Sequence, residues 1–501
     1  MNAKRLISGI FILSLISISV SCIDDFVDID PEYSLDSESF FVSEQDYYDA
    51  LVGAYDLLQT TYLNSMLGEI ASDNTLCGGE SATDVIGFQQ IDDMIHTPIN
   101  DNLQDLWNWM FAGVQRSAYI LEFQDKIEFT GKAQIIAEAQ FLRAYYNFEL
   151  VKWFGPIPIS PERRFGVGDE QELPRSPITE VYDLIEADLE AAIPNLSATA
   201  PQVGRVSLGA AQALLGKAYI YHAAQLEGEA KTQKFEAAAV VLDQVITSGN
   251  YDLISNYAVV FERNGENGVE SVFEVQYTDA EGASFDCFQC SEGNIAVGFN
   301  GIRQYNGPFY DSGFSFNVPT AETFNAFSPN DNRRDVSILD IVSWAATYNV
   351  TYGTGYEHTG YFNKKYIARK GDSNIGDQNL TNPNNYRAIR FADVLLLAAE
   401  AHQISGNESK ALEYLNRVRR RAFGSSYQNI NISGSILLDA IYNERRLELV
   451  GEGHRFFDLV RTGRAEARIN GFTPDKNELF PIPLEEIQFS NGNWNQNPGY
   501  N

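Results

Sequence analysis

Apolar residues along this chain recur mostly at intervals of three and four, which predicts helices over most of its length. Ser43 opens the first, Asp46 completes a variant of the capping box, and Tyr47, Leu51, Ala54, Tyr55 and Leu58 form one apolar face. Further helical stretches run from Leu103 to Ile127 and from Gln134 to Trp153, the second stopped by Gly155-Pro156. Ser176-Pro177 reads as an N-cap followed by a proline at the first helical position, and behind it Val181, Ile185, Leu189 and Ile193 repeat every four residues. Residues 208–226 and 234–248 add two helices, and 388–404, 408–422 and 436–451 resume the pattern. Between about 250 and 385 the periodicity breaks into Gly-, Asn- and aromatic-rich sequence with one clear strand at 271–277, a loop-dominated insertion where recognition residues usually sit. The expectation is a mostly α fold of tetratricopeptide-like helical repeats, split by a large irregular insertion and lacking the strict repeat consensus of roughly 34 residues.

A length of 501 residues allows two to four domains, although repeat folds of this size also run as one unit. With 44 % hydrophobic residues the chain can bury a core without help from disulfides or metals. The charge balance changes the picture more. Lys and Arg number 36 against 68 Asp and Glu, a net of −32, and such a surface repels phosphate backbones, which excludes nucleic acid as a partner. The same acidity also keeps a secreted protein soluble. Aromatics make up 12 % of the chain; most belong in a core, and some can form a stacking surface for sugar rings.

The N-terminus begins with Lys4 and Arg5, continues through an apolar stretch from Leu6 to Val20 that is short for a membrane span, and reaches Cys22 after Ser19 and Ser21. This resembles a bacterial lipoprotein signal, with residues 1–21 removed and Cys22 lipidated, although Ser19 stands where such signals usually carry leucine. The acidic run just after Cys22 resembles a surface-export tag of Bacteroidota lipoproteins. Residues 1–21 hold two positive charges and no negative ones, so the mature chain is more acidic still.

Of the remaining cysteines, Cys287 and Cys290 form a lone C-x-x-C. Zinc needs further soft ligands, and the five histidines are scattered, so a local disulfide is the better expectation in an oxidising location. Glu444 and Glu448 share a helix face with Arg445 and Arg446 beside them, which points to ion-paired scaffold rather than a catalytic carboxylate pair; Arg143, Arg390, Asp393, Asp458 and Arg461 read the same way. Gly451 and Gly453 flank Glu452 after a helix, not between a strand and a helix, so a dinucleotide site is excluded. No EF-hand spacing is present.

From end to end the chain resembles the SusD/RagB family of surface nutrient-binding lipoproteins. The resemblance is carried by Pro31 with DYYDALVGAYDLL, by Glu69-Ile-Ala-Ser-Asp-Asn74, by AEAQFLRAYYNFELVKWFGPIPI at 137–159, by GRVSLGAAQALLGKAYIY at 204–221, by FEAAAVVLDQVITSGNYDL at 235–253, by IRFADVLLLAAEA at 389–401, by LNRVRRRA at 415–422, by ERRLELVGEGHRFFDLVRTGRA at 444–465, and by PIPLEEI and QNPGY near the end. It implies a signal peptide at 1–21, a lipidated leader at 22–42 and one domain at 43–501. That domain would hold about four helix pairs (43–250 and 386–465), the insertion at 251–385 and a C-terminal segment at 466–501. It further implies a lid on a SusC-like TonB-dependent barrel of the outer membrane, an oligosaccharide ligand (in some members a peptide), and neither cofactor, metal nor catalysis.

Candidate ligand contacts follow from this resemblance and from side-chain chemistry. Asp73 and Asn74 match the family's acidic motif and could grip sugar hydroxyls, Asn74 equally reading as a turn or cap residue. Phe88 and Gln89 lie in the segment that follows. In the insertion, Phe285, Tyr305, Phe309, Tyr310 and Trp344 are aromatics in polar company, each either packed or stacking, with Trp344 singled out as a large loop aromatic. Trp107, Trp109 and Trp153 read as core, and Trp494 receives no ligand role. The negative surface favours a neutral glucan over a uronic-acid polymer, and a peptide is the alternative.

Overall fold

The structure, a computed structural model, describes residues 40–500 apart from 286, 373–376, 378 and 428. Cys22 and the leader up to residue 39 lie outside the described residues.

Helix α1, Glu44–Asp56, starts at Ser43 with both halves of the capping box formed and buries Tyr47, Leu51 and Ala54. Short buried α2, Tyr62–Ile70, leads to α3, Asp101–Glu122, whose first turn is capped by the Asn100 side chain. Helix α4, Lys132–Phe154, is buried around nearly its whole circumference because α1, α3 and α5 (Ile178–Ala192) all pack against it, so it shows no polar face. Gly155, at φ +66°, ends it. Helices α6, Leu208–Ala223, and α7, Gly228–Thr247, complete the first run. Ser176 does not cap α5. Its peptide N–H donates to Ile157 O (2.8 Å) in an isolated bridge, and Pro177 takes the cap position without a side-chain bond. The proline favours extended backbone at the residue before it, which suits the bridge.

Strand β1, Ser271–Val275, opens the insertion, within which lie β2, Ile338–Asp340, helix α8, Ile341–Tyr348, and β3, Tyr361–Asn363. The insertion closes with β4, Tyr386–Arg390, antiparallel to β1 with Ser271 opposite Arg390 and Val275 opposite Tyr386. Residues 388–390, expected as the start of a helix, therefore belong to a strand; a short buried run does not declare its period. Helices α9, Phe391–Ile404, α10, Glu408–Phe423, α11, Gly434–Leu449, and α12, Arg455–Arg461, follow, with α9 packed on α7, so the helical stack continues across the insertion. No helix among the described residues is long and apolar enough to cross a membrane.

The charged strings are scaffold, as the neighbouring arginines predict. Glu448 takes Arg333 (3.0 Å), Arg390 (2.9 Å) and Arg421 (2.5 Å), all buried, while Arg390 also reaches Glu270 and Glu452 at 2.7 Å each. Burial alone would raise the Glu448 carboxyl, but Arg421, Arg390, Arg333 and Lys365 together hold it below the usual carboxylate range. Asp458 is likewise desolvated yet held at about 2 by Arg445 and Arg461. Gly451 and Gly453 have their own explanation. At φ +80° and +78° they turn their peptide N–H groups onto the buried Glu69 carboxylate, at 2.9 and 3.0 Å, and a Cβ on Gly453 would sit 2.5 Å from Ser65 Cα.

Candidate functional site

The insertion builds an aromatic cluster apart from the main core. The β2–β3 pair, with Leu339 opposite Phe362, fixes the start of α8, whose N-terminus is capped by Asp340 accepting from Ser343 N at 3.0 Å. This helix places Trp344 and Tyr348 four residues apart on one face, ring centroids 4.3 Å from each other. The Trp344 indole N–H donates to Tyr305 Oη (3.1 Å), which in turn donates to Pro308 O (2.5 Å), so the ring is oriented by a two-step relay. Phe309 then packs edge-on against Trp344 at 5.6 Å and Tyr348 at 5.2 Å. Its φ of +75° lies in the left-handed region that bulky residues avoid, a strained placement fastened by Lys370 N–H donating to Phe309 O (2.9 Å). Lys364, tied to Asp335 O, places its ammonium 5.7 Å from the Trp344 ring.

Exposure sorts these rings into two roles. Tyr305 and Tyr310 are 7 % and 6 % exposed and form the floor, Trp344 is partly exposed, and Phe309 and Tyr348 stand out at 52 % and 42 %. Trp344 thus sits on a helix rather than in a loop, as the hub that holds two exposed rings in place. Tyr348 was missed by sequence reasoning; its i, i+4 spacing from Trp344 was the available signal. Phe285 is 57 % exposed but packs toward Phe314 at 5.8 Å, in a different aromatic group.

The other candidates are committed elsewhere. Asp73 is gripped by Arg455 through two bonds of 2.6 and 2.8 Å; against the desolvation of burial, that guanidinium and Arg446 hold its carboxyl low. Asn74 is fully buried, its amide oxygen accepting from Arg446 Nε at 2.9 Å and its carbonyl from Thr320 and Thr323. Phe88 packs edge-on against Phe299 and Phe316, and Gln89 donates to Gly78 O at 2.6 Å. All four side chains are thus engaged by partners within the fold.

Asp92, at the end of the helix Ile86–Asp92, is a pH-sensitive point. Burial pushes its carboxyl up to about 7, only partly countered by the bond from Cys77 N (2.7 Å), with Asp93 and Glu357 raising it further. Its folded pKa lies well above the ordinary carboxylate value of about 3.8, so its contribution to stability is complete below about pH 4 and is lost as pH rises toward about 7. Asp92→Asn keeps an acceptor for Cys77 and is expected to remove that loss. Urea midpoints measured from pH 4 to 8 should then decline less steeply in the variant than in the parent.

Cys287 and Cys290 are disulfide-bonded, with Cα atoms 5.3 Å apart. Among the described residues, one histidine–carboxylate group, Asp183, Glu186 and His222, has ligand spacing for a metal, but the Lys234 ammonium already bonds Glu186 there.

Known proteins bear on this arrangement. A family model described as the SusD family matches residues 270–473, and one described as starch-binding, associating with the outer membrane, matches residues 25–220. The chain is 32 % identical to a laminarin-binding SusD-like protein of known structure, covering 91 % of this chain and 100 % of that one, with a TM-score of 0.82. It is 26 % identical to the surface glycan-binding protein A of Bacteroides thetaiotaomicron solved with laminarihexaose, over 91 % and 99 % of the two chains, at a TM-score of 0.78. A SusD-like protein of Formosa agariphila is 28 % identical, over 93 % of this chain and 94 % of that protein.

Proposed function

The chain belongs to the SusD/RagB family, and on that premise we propose that it captures a neutral β-glucan at the cell surface on the Phe309–Trp344–Tyr348 platform. The observation that carries this reading is the pair of exposed rings braced by Trp344, in a chain similar to a laminarin-binding protein. Apolar C–H faces of glucose units pack on such rings, and their hydroxyls stay free for water or for Lys364. The protein's acidity opposes binding of uronic-acid polymers. Exposed stacking rings suit a sugar better than an extended peptide.

In this reading Cys22 carries the lipid that holds the protein to the outer membrane. A SusC-like TonB-dependent transporter receives the glycan, and no reaction is catalysed. The carboxylates at Glu444 and Glu448 are consumed in ion pairs, which fits a binding role. Affinity electrophoresis of residues 23–501 tests the proposal. Retardation in gels containing laminarin, with none in gels containing alginate, is the expected pattern. Unretarded migration in laminarin and in every other neutral glucan would overturn the glycan reading.

A further inference from the structure

Away from the insertion, α3, the segment after α4 and the C-terminal segment enclose a cleft of about 310 Å³. Its walls are aromatic, with Phe111 and Phe165 half-buried and Trp107 and Trp494 almost fully buried. Trp107 lies 4.6 Å from Phe111 and 6.2 Å from Trp494, and Phe165 lies 5.8 Å from Phe111. The walls are also fixed in place. The Trp494 indole N–H donates to Leu173 O at 2.8 Å, and the Gln115 amide clasps the Phe165 backbone on both sides, at 2.8 and 2.6 Å. Three carboxylates, Asp169, Glu170 and Glu486, stand on the lining. Glu486 accepts from Gln104 at 3.3 Å, and among the described residues no ion pair or side-chain hydrogen bond engages the Glu170 carboxylate. Asp169 beside it is neutralised by Arg163.

A cleft of this volume falls at the lower end of the range of small-ligand sites, about 300–1,000 Å³. The half-buried rings of Phe111 and Phe165, backed by the rest of the fixed aromatic group, accept the apolar face of a pyranose, and carboxylate oxygens with spare lone pairs accept from its hydroxyls. The acidic lining refuses anionic sugars. We propose that this cleft is a second saccharide subsite, taking a neutral hexose unit of a glucan; the choice of glucan rests on the platform reading, whereas the existence of the subsite does not. Two separate contacts on one chain would hold a long polysaccharide more tightly than either holds a short oligosaccharide, through the raised effective concentration of the second contact.

Equilibrium dialysis against end-labelled laminaritriose decides the matter. The expected result is two molecules bound per wild-type chain, one per Phe309→Ala/Tyr348→Ala chain, and one per Phe165→Ala chain, with unchanged circular dichroism. One molecule on the wild type and none on the platform variant overturns the subsite and leaves the platform standing. One on the wild type, still present in the platform variant and lost in Phe165→Ala, keeps the subsite and overturns the platform. No binding by any of the three, repeated with cellotriose and maltotriose, overturns both. A labelled Lys-Tyr-Lys peptide retained in a manner that requires Phe165, in place of sugar, overturns the saccharide assignment.

Discussion

Arg390→Ala should destabilise the fold by about 3–5 kcal/mol, the cost typical of stranding buried charge. The guanidinium ends β4 and touches three buried carboxylates from two parts of the chain, Glu270 and the stretch holding Glu448 and Glu452. Its loss leaves Glu448 with Arg333 and Arg421, but leaves Glu452 with Lys365 alone. Burial lowers that lysine to about 8, so it is a weakened replacement. Arg390→Lys should recover only part of the loss, because one ammonium cannot repeat a planar fork directed at three acceptors. Urea denaturation followed by circular dichroism measures both variants. A midpoint equal to that of the parent would mean that water reaches the cluster and that its geometry is not what joins β4 to α11.

The second large effect concerns binding. Removing both exposed rings, as Phe309→Ala with Tyr348→Ala, should weaken laminarin retention by at least about 30-fold, the equivalent of one hot-spot contact of about 2 kcal/mol. The fold should survive, since both side chains project from the surface of the small cluster rather than filling it. Trp344→Ala should weaken retention as well, by a different route. It removes the ring against which both others rest, and it strands the Tyr305 relay. Retention unchanged in the double variant would place the glucan elsewhere on the molecule.

Much of the helical stack was legible because long amphipathic segments declare their period, and the end-to-end resemblance supplied the rest. The predicted Ser43 cap and the Gly155 stop were each found where local chemistry demanded them. The start of α9 was not, because Tyr386–Arg390 is buried on every side and alternates with nothing polar except its arginines. The candidate site was legible only in part. Trp344, Phe309, Tyr305 and Tyr310 do come together, but their division into floor and rim depends on a relay and a turn that no spacing announces. The engagement of Asp73 and Asn74 was not legible for a plainer reason: their partners, Arg455 and Arg446, lie 382 and 372 residues away in the sequence. An exposed acidic motif and one locked by distant arginines read identically.

The pairing of β1 with β4 has a consequence for how such a protein diversifies. Residues 276–385 leave the helical stack and return to it at one ribbon, while Phe299 and Phe316 pack on Phe88 and Thr320 and Thr323 bond Asn74, so the insertion is tied to the stack at several points besides its ends. Sequence between those ties can lengthen, shorten or exchange its exposed aromatics at little cost to the stack, since closing a longer loop adds only slowly to the entropy of folding. The frame sets a further, electrostatic condition. Arg333 and Lys365 reach out of the insertion to Glu448 and Glu452, so any replacement cassette has to bring two cations to the same two carboxylates. Ligand range would then evolve inside a frame whose electrostatic lock stays constant.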